Sequence, residues 1–301
     1  MLHLINESGK SRRIFLRISD GVINSKKNGE TTSFEAISGA LKGIELKEHE
    51  FDNKKFRNWH ILLSACEPET LGNPQKPNPE ESSYLTFVSS GESSVALVKV
   101  GEPFDISLEH SIDGKSWNPY TIGEAIYLLK NEVSFRAGET GNEGFSKDLD
   151  DYYQFDISGE IAARGSIMSL LDRNCARNSV PANTFASLFK DCQSLTSAPV
   201  LPAMDLSIYC YSGMFSGCTS LTKAPALPAT ELVEDCYKQM FEGCTNLNYV
   251  KVLFTDGPSE ETTENWLSGI ASTDTFVKSK DAIWDVSGAS GIPEGWTVVT
   301  E

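Results

Sequence analysis

The side chains of this 301-residue chain that could carry out chemistry are its histidines, cysteines and carboxylates. A zinc site needs His or Cys at short intervals, but His3, His49, His60 and His110 stand far apart and the sequence has no Cys-x-x-Cys. The sequence also has no Gly-x-Ser-x-Gly elbow, phosphate-binding loop, His-Glu-x-x-His motif or dinucleotide fingerprint. These patterns favour a protein that is not an enzyme and that holds no metal or cofactor.

The acidic residues leave one enzymatic alternative open. A glycosidase needs two carboxylates set several ångströms apart in a cleft, and 42 Asp and Glu residues could supply them, although no spacing points to a pair. Asp148, Asp150 and Asp151 lack the alternating oxygen ligands of a calcium loop, so we expect a solvated acidic loop. The segment from Ser111 to Trp117 is one residue short of the Asp-box of sialidase-like propellers, and its Asp-Gly pair predicts a hairpin turn.

Five of the seven cysteines recur at a fixed spacing. The recurring residues, 26 positions apart, are Cys192, Cys218 and Cys244, and Cys210 with Cys236. Cys66 and Cys175 stand outside this pattern. Because free cysteine is among the most often buried residue types, we expect the recurring cysteines to be small core residues. Disulfides between neighbouring repeats are the alternative.

The same spacing of 26 extends to whole segments. Residues 189–203 align with residues 215–229, which in turn align with residues 241–253, so that Phe, Cys and Leu recur at matching places. A period of about 20 to 29 residues with a Leu-x-x-Ala-x-x-Leu core is the signature of a leucine-rich repeat, whose coils each supply a short strand and a helical or irregular return. Three copies are near the minimum that can bury a continuous core.

One copy divides into a return and a strand. Tyr211, Met214, Phe215 and Cys218 follow one another at i, i+3, i+4 and i+7, so we expect all four side chains of the return to point inward. Residues 221–227 predict the strand. Because no coil can bury its own apolar face, stability must come from the stacking of coils.

The repeats resemble those of a known family. The run Met-Phe-x-Gly-Cys-Thr-x-Leu, followed by Ala-Pro-Ala-Leu-Pro-Ala-Thr, is similar to the BspA-type leucine-rich repeats of gut Bacteroidota surface proteins. Residues 265–278 and 291–298 resemble the segment that closes such arrays, and the β-rich segment before the repeats resembles one that often precedes them. Over residues 83–301, the resemblance implies a cell-surface or extracellular module that adheres to a protein or glycan partner.

We expect this partner to bind the outer face of the predicted strands. Outward positions alternate with the buried Leu and Ala positions along each strand. The candidate binding residues are Thr196, Ser197, Pro199, Thr222, Lys223, Pro225, Asn248, Tyr249 and Lys251. The alternative is a face that is merely solvated, since small polar residues occur on any exposed strand.

The predicted fold is mainly β with short helices, or α+β overall. Residues 83–165 contain about seven short strands and predict an antiparallel β-sandwich. Residues 166–254 form the predicted leucine-rich repeat solenoid, and residues 255–301, where the repeat breaks after Leu253, form its C-terminal cap. Residues 67–82 carry four prolines and predict an extended linker.

Residues 1–66 predict a small β-meander domain with the bent start of an oligonucleotide-binding barrel. Strands are expected over residues 13–19, 32–38 and 58–63, with residues 43–51 continuing the second. The segment resembles the opening of short phage single-strand-binding proteins, which implies, as an alternative, a phage virion or single-stranded nucleic-acid-linked protein. The residues that would stack on bases in that case, or otherwise form the core and rim of a small sheet, are Phe15, Phe34, Phe51, Phe56 and Trp59.

Charge differs between the two ends of the chain. The formal net charge is -16, yet residues 1–66 carry eleven Lys and Arg against eight Asp and Glu, compared with fifteen against thirty-four in the remainder. An acidic protein repels nucleic acid and anionic membranes, so we expect nucleic-acid binding through residues 1–66 if at all. The sequence has neither an apolar run that could span a membrane nor a secretory signal, which conflicts with a surface location; a phage particle or the cytoplasm is the alternative.

Overall fold

The structure is a computed structural model, and it is mainly β. It describes residues 84–301 with their side chains and, before them, the backbone of six strands between residues 2 and 61. The chain divides into two compact units, Met1–Asn73 and Pro74–Glu301. Among the described residues, helix is confined to a 3-10 helix, Ile167–Leu170, and to α1, Glu260–Thr263. None of the described helices is long and apolar enough to cross a membrane.

The strands of the first unit form two separate antiparallel sheets. They are β1 (Leu2–Asn6), β2 (Ser11–Ile14), β3 (Arg17–Ser19), β4 (Val22–Lys27), β5 (Glu30–Glu35) and β6 (Trp59–Ile61). The sheet orders are β2-β1-β6 and β3-β4-β5, and these strands close no barrel. Residues 43–51, the linker over residues 67–82 and the side chains proposed for base stacking lie outside the described part of the chain.

The single strand predicted over residues 13–19 is wrong, because its two halves pair with different partners. β2 pairs with β1, whereas β3 pairs with β4, and the Asp-Gly pair predicted as a turn lies between these two strands in the sequence. β4 was not predicted. Its last residue, Lys27, lies opposite Glu30, and the Asn-Gly pair between them in the sequence is a strong hairpin signal that would have located it.

The second unit begins with eight strands. They are β7 (Leu85–Ser89), β8 (Glu92–Val100), β9 (Leu108–Ser111), β10 (Asn118–Pro119), β11 (Ile126–Leu129), β12 (Glu132–Ala137), β13 (Tyr152–Ser158) and β14 (Ile161–Arg164). Each of the seven predicted strands has a counterpart, although the strand predicted over residues 117–122 shortens to β10, where Pro119 has no N–H to donate. β14 was not predicted.

These strands form two sheets that face each other across an aromatic core. The orders are β10-β9-β12-β7-β14-β15, in which β15 is Leu195–Ser197, and β11-β8-β13, and every pair within β7 to β14 is antiparallel. Phe87 and Phe135 of the larger sheet contact Phe155 of the smaller one at ring-centroid distances of 4.8 and 5.7 Å. The segment predicted as a sandwich therefore has its core between two sheets.

The repeats follow the sandwich segment, and their buried side chains continue its core. Their strands are β15 (Leu195–Ser197), β16 (Tyr249–Lys251), β17 (Thr275–Lys278) and β18 (Thr297–Thr300). β15 pairs in parallel with β14, and β16, β17 and β18 pair in parallel with one another. The middle copy has only isolated bridges, from Lys223 to Tyr249 and from Leu227 to Val252.

The returns are irregular turns rather than helices. In the return formed by residues 209–217, every fourth residue (Tyr209, Gly213 and Gly217) has a positive φ. Backbone N–H groups alternate between two kinds of acceptor: Ser212 donates within its own turn to Tyr209 O at 3.1 Å, and Gly213 donates to Lys238 O of the next repeat at 2.8 Å. The positive φ angles prevent an α-helix, and the alternation instead ties each repeat to its neighbour.

The inward side chains of the returns form continuous columns, as their spacing predicted. The first column is Phe155, Phe189, Phe215 and Phe241, with successive ring centroids 5.2, 5.3 and 5.5 Å apart. The second is Phe145, Phe185, Tyr211 and Tyr237, at 6.2, 5.8 and 6.0 Å. Both columns start in the sandwich segment, so residues 84–301 share one hydrophobic core.

The repeat spacing, which was predicted to break after Leu253, resumes in residues 260–278. Asn265 and Gly269 have positive φ at positions 26 residues after Gln239 and Gly243, which have the same backbone conformation. Trp266 accepts the Phe241 N–H at 2.9 Å through its carbonyl, and its ring lies 6.4 Å from that of Tyr237. A fourth, divergent copy therefore follows the third and contacts it.

Candidate binding face

Parallel strands bring the predicted binding residues into rows. Lys223 bridges to Tyr249, Tyr249 pairs with Thr275, and Thr275 pairs with Thr297. Ser197 is 26 residues before Lys223 and is likewise exposed. The prediction placed Ser197, Lys223 and Tyr249 on one outer face. Thr275 and Thr297 extend that row and were not predicted, because the repeat of residue types breaks after Leu253.

A cation–π contact joins two of the predicted residues. Lys223 Nζ lies 4.5 Å from the centroid of the Tyr249 ring. Lys223 is exposed and Tyr249 is half-buried, so the pair presents both a positive charge and an aromatic edge to solvent. Contacts of this kind contribute about 0.5–1 kcal/mol at exposed sites. The pair therefore forms a defined feature of the face rather than two independent side chains.

An ion pair crosses the face beside this row. Lys251 Nζ lies 2.5 Å from Glu301 Oε2, with both side chains partly exposed. Lys251 is on β16 and Glu301 follows β18, so the pair spans β17, whose Val277 is buried. Exposed pairs of this kind contribute little to stability. Glu301 was not predicted, because it lies fifty residues from Lys251 in the sequence.

The remaining predicted residues occupy different environments. Thr196 is half-buried and its Oγ1 donates to Ile161 O at 3.1 Å, whereas Thr222 and Asn248 are exposed and are joined through the Asn248 N–H and Thr222 O at 2.9 Å. Pro225 is half-buried. The outward placement of Pro199 is wrong: it is buried, because β15 ends at Ser197 and strict alternation of side chains ends with it.

Comparisons with family models, curated proteins and solved structures give no match to this chain.

The recurring cysteines lie behind the face, in the core. Cys192, Cys210, Cys218, Cys236 and Cys244 are buried free thiols. Sγ of Cys192, Cys218 and Cys244 donates to the carbonyl of Phe155, Phe189 and Phe215, at 3.1, 3.1 and 3.0 Å. Burial raises the pKa of Cys244 to about 12, so this thiol stays protonated near neutral pH. Each of these thiols links one layer of the stack to the layer before it.

The acidic loops are closed by hydrogen bonds to their own backbone. Asp113 Oδ1 accepts from Ser111 Oγ and from the N–H groups of Lys115 and Ser116, which lower the pKa of Asp113 well below its ordinary value. Asp148 Oδ1 accepts the N–H groups of Asp150 and Asp151. Within residues 84–301, no group of three His, Cys, Asp or Glu residues is placed to hold a metal ion.

Proposed function

We propose that residues 166–301 form a leucine-rich repeat solenoid of the BspA type, that its outer strand face binds a protein or glycan partner, and that the protein is a recognition module rather than an enzyme. In this proposal, residues 255–301 serve as the cap of the solenoid. The setting that the resemblance implies is the cell surface or the extracellular space. No cofactor is needed, because recognition uses side chains of the face alone.

The repeat geometry supports the solenoid. Successive copies donate backbone hydrogen bonds to the next copy at a constant offset, and their aromatic residues stack in register. Each copy also contributes a strand or bridge to a parallel array on one side. A structure in which each unit contacts mainly its neighbours is the arrangement expected of repeat proteins.

The outer row is the observation that carries the binding proposal. Lys223, Tyr249, Thr275 and Thr297 are paired one after the other, Ser197 stands 26 residues before Lys223, and none of the five is buried. The row combines hydroxyl groups, one aromatic ring and one cation. Hydroxyls and amides hydrogen-bond sugar or peptide groups, and an aromatic residue supplies contact area at low entropic cost. Arrays of this kind use such extended surfaces for binding.

The test compares two triple variants in binding to arrayed glycans and to candidate host proteins. Lys223→Ala/Tyr249→Ala/Lys251→Ala removes the cation, the ring and the second Lys of the face. Lys99→Ala/Tyr127→Ala/Lys115→Ala removes the same residue types from exposed positions of the sandwich segment. We expect only the face variant to lose binding, by roughly tenfold or more for one dominant contact cluster. Equal binding by both variants would exclude this face.

A second measurement, the binding of single-stranded DNA by residues 1–66, tests the alternative function. If the chain is instead a phage virion or nucleic-acid-linked protein, residues 1–66 should bind single-stranded DNA with an affinity that falls steeply as salt is raised. The face variant would leave that binding unchanged. Tight, salt-dependent DNA binding together with no partner for the strand face would favour this alternative.

A further inference from the structure

A small polar cavity lies in the second unit, between the segment after β12 and the segment after the 3-10 helix Ile167–Leu170. Its volume is about 180 Å³. Pockets for drug-sized ligands measure roughly 300–1,000 Å³ and are mostly apolar, so this cavity suits one small polar group instead. Beside Leu171 and two glycines, its lining residues are Glu139, Thr140, Asp172, Arg173, Asn174 and Arg177.

Hydrogen bonds hold the two segments of the cavity together. The Asn142 N–H donates to Leu171 O at 3.0 Å, and its side-chain Nδ2 donates to Leu170 O at 2.7 Å. At Gly141, where φ is +73°, an added Cβ would lie 2.8 Å from Leu171 O, so the two backbones are in close contact there. The cavity is therefore already formed without a ligand, and little ordering entropy opposes binding.

Asp172 fixes the turn that carries the two arginines of the cavity. Its Oδ1 accepts the Asn174 N–H at 3.0 Å, and its Oδ2 accepts the Ala176 N–H at 3.1 Å. Both carboxylate oxygens are thus bound to the backbone of the turn. The guanidinium groups of Arg173 and Arg177 consequently extend from a backbone of defined conformation.

Arg173 belongs to a charged group beside the cavity. Its Nη2 lies 3.0 Å from Glu109 Oε1, and Arg136 Nη2 lies 2.6 Å from Glu109 Oε2. A single carboxylate thus contacts two guanidinium groups, whose combined positive charge exceeds its own. The Arg136 guanidinium also lies 4.0 Å from the centroid of the Trp117 ring. This group therefore places a fixed positive charge beside the cavity, which favours an anion there.

Arg177 has only long contacts with the described residues. Its Nη2 lies 3.8 Å from Glu143 Oε1, and its Nη1 lies 3.5 Å from the carbonyl oxygen of the preceding residue, Asn142. The Glu143 side chain is 93% exposed, so water screens most of the attraction between the two charges. Since a guanidinium carries several N–H donors in a planar fork, Arg177 keeps most of them for a ligand.

We propose that this cavity is a second binding site, which takes the carboxylate of an acidic sugar such as a uronic acid residue of a glycan. The Arg177 guanidinium binds the carboxylate through two parallel N–H donors. The exposed Glu139, Thr140 and Asn174 supply carboxylate, hydroxyl and amide groups that hydrogen-bond the sugar hydroxyls. The site shares no residue with the outer strand face and does not depend on binding there.

The charge and polarity of the lining favour this ligand over two others. Glu139 and Asp172 balance Arg173 and Arg177, so one negative charge is accommodated better than a phosphate group, which carries about −1.5 to −2. Leu171 supplies the apolar part of the lining, and the other side chains are polar. The cavity therefore offers little to the apolar groups of a peptide and more to a hydroxylated ring.

The first test uses the unsubstituted full chain. Calorimetric titration compares the methyl glycoside of glucuronic acid with methyl glucoside, which has the same ring without the carboxylate. We expect the acidic sugar to bind at least roughly tenfold more tightly, the range for a hydrogen-bonded charge. Equal affinity for the two sugars, or no binding of either, overturns the proposal. Tighter binding of N-acetyl-glutamic acid amide would assign the cavity to acidic peptides and overturns it as well.

Two matched variants locate the binding. Arg177→Gln removes a cation from the cavity. Arg164→Gln removes an arginine of similar exposure, 39% against 35%, that lies 2.7 Å from Glu132 and does not line the cavity. We expect Arg177→Gln to weaken binding of the acidic sugar at least roughly tenfold, and Arg164→Gln to leave it unchanged. Equal losses in the two variants would show that the sugar binds elsewhere.

Discussion

A single hydroxyl group distinguishes Tyr211 from Phe185, the residue at the equivalent position one repeat earlier. Tyr211 is 1% exposed, and its hydroxyl has no hydrogen-bond partner in the described structure. Burial raises the pKa of Tyr211 well above its ordinary value. Burying a polar group without a partner costs about 1–3 kcal/mol, so this hydroxyl weakens the core that its ring helps to form.

Tyr211→Phe should therefore leave the free energy of unfolding unchanged or raise it by about 1 kcal/mol. The control is Tyr120→Phe, because the Tyr120 hydroxyl accepts the Leu97 N–H at 2.9 Å and donates to Glu124 O at 2.6 Å. That substitution leaves two partners unsatisfied and should lower stability by about 1–3 kcal/mol. Urea denaturation measures both, and equal losses would show that Tyr211 has a hydrogen-bond partner in solution.

Residue type and spacing were sufficient to predict which side chains of the return at residues 211–218 are buried. Tyr211, Met214, Phe215 and Cys218 are all at most 1% exposed, as their spacing indicated. The contacts on the outer face could not be predicted in the same way. Alternation along a strand gives the side on which Lys223 or Lys251 lies, but the partner of each is set by the pairing of strands far apart in the sequence.

At the scale of the element, the returns depend on left-handed residues at regular intervals. Gly217 and Gly243 occupy equivalent places, with φ of +77° and +73°. A Cβ added at Gly217 would lie 2.3 Å from Asp191 Oδ1, whereas one added at Gly243 would meet nothing nearer than 3.8 Å. The two glycines therefore share the backbone requirement and differ in the space around them.

Gly243→Ala should lower the free energy of unfolding by about 1–2 kcal/mol, the cost of placing a Cβ in the left-handed conformation. Gly217→Ala should lower it further, because Asp191 must also move. Chemical denaturation of both variants measures the difference. Losses of the same size would mean that Asp191 rotates away without cost.

The irregular returns and the fourth copy were harder to infer from the sequence, because different residue types occupy equivalent positions. Left-handed positions are filled by Gly217 and Gly243 but also by Ser187 and Gln239, which hides the pattern. In the fourth copy, Trp266 stands 26 residues after Met240, and both side chains are buried although the residue types differ. In the fourth copy, the positive φ angles recur every 26 residues, whereas the residue types do not.

At the scale of the whole molecule, the last segment packs against the third repeat, where the Trp266 ring lies 6.4 Å from that of Tyr237. Trp266 Nε1 donates to Gly291 O at 2.9 Å, and Trp284 stacks on Phe254 with ring centroids 5.4 Å apart. Both tryptophans are nearly inaccessible to solvent. In the proposed cap, these residues would protect apolar surface of the third repeat.

Truncation at Asp256 should cause aggregation or the loss of a cooperative melt, because Phe241, Tyr237 and Phe254 would face water. Calorimetry and light scattering of the truncated and full chains provide the measurement. A truncated chain that stays monodisperse and melts as before would show that the last segment is an appendage rather than a cap.

The alternating hydrogen bonds of the returns have an electrical consequence. The backbone bonds that alternate residues of a return donate to the next return have the same sense: Phe189 donates to Met214 O, Phe215 to Met240 O, and Phe241 to Trp266 O. Peptide dipoles that point one way add together, as they do along an α-helix, whereas those of a regular sheet largely cancel. The array consequently carries a dipole with its positive pole at the fourth return and its negative pole at β13. Glu260, Glu261 and Glu264 stand at the positive pole, where their charge is stabilised.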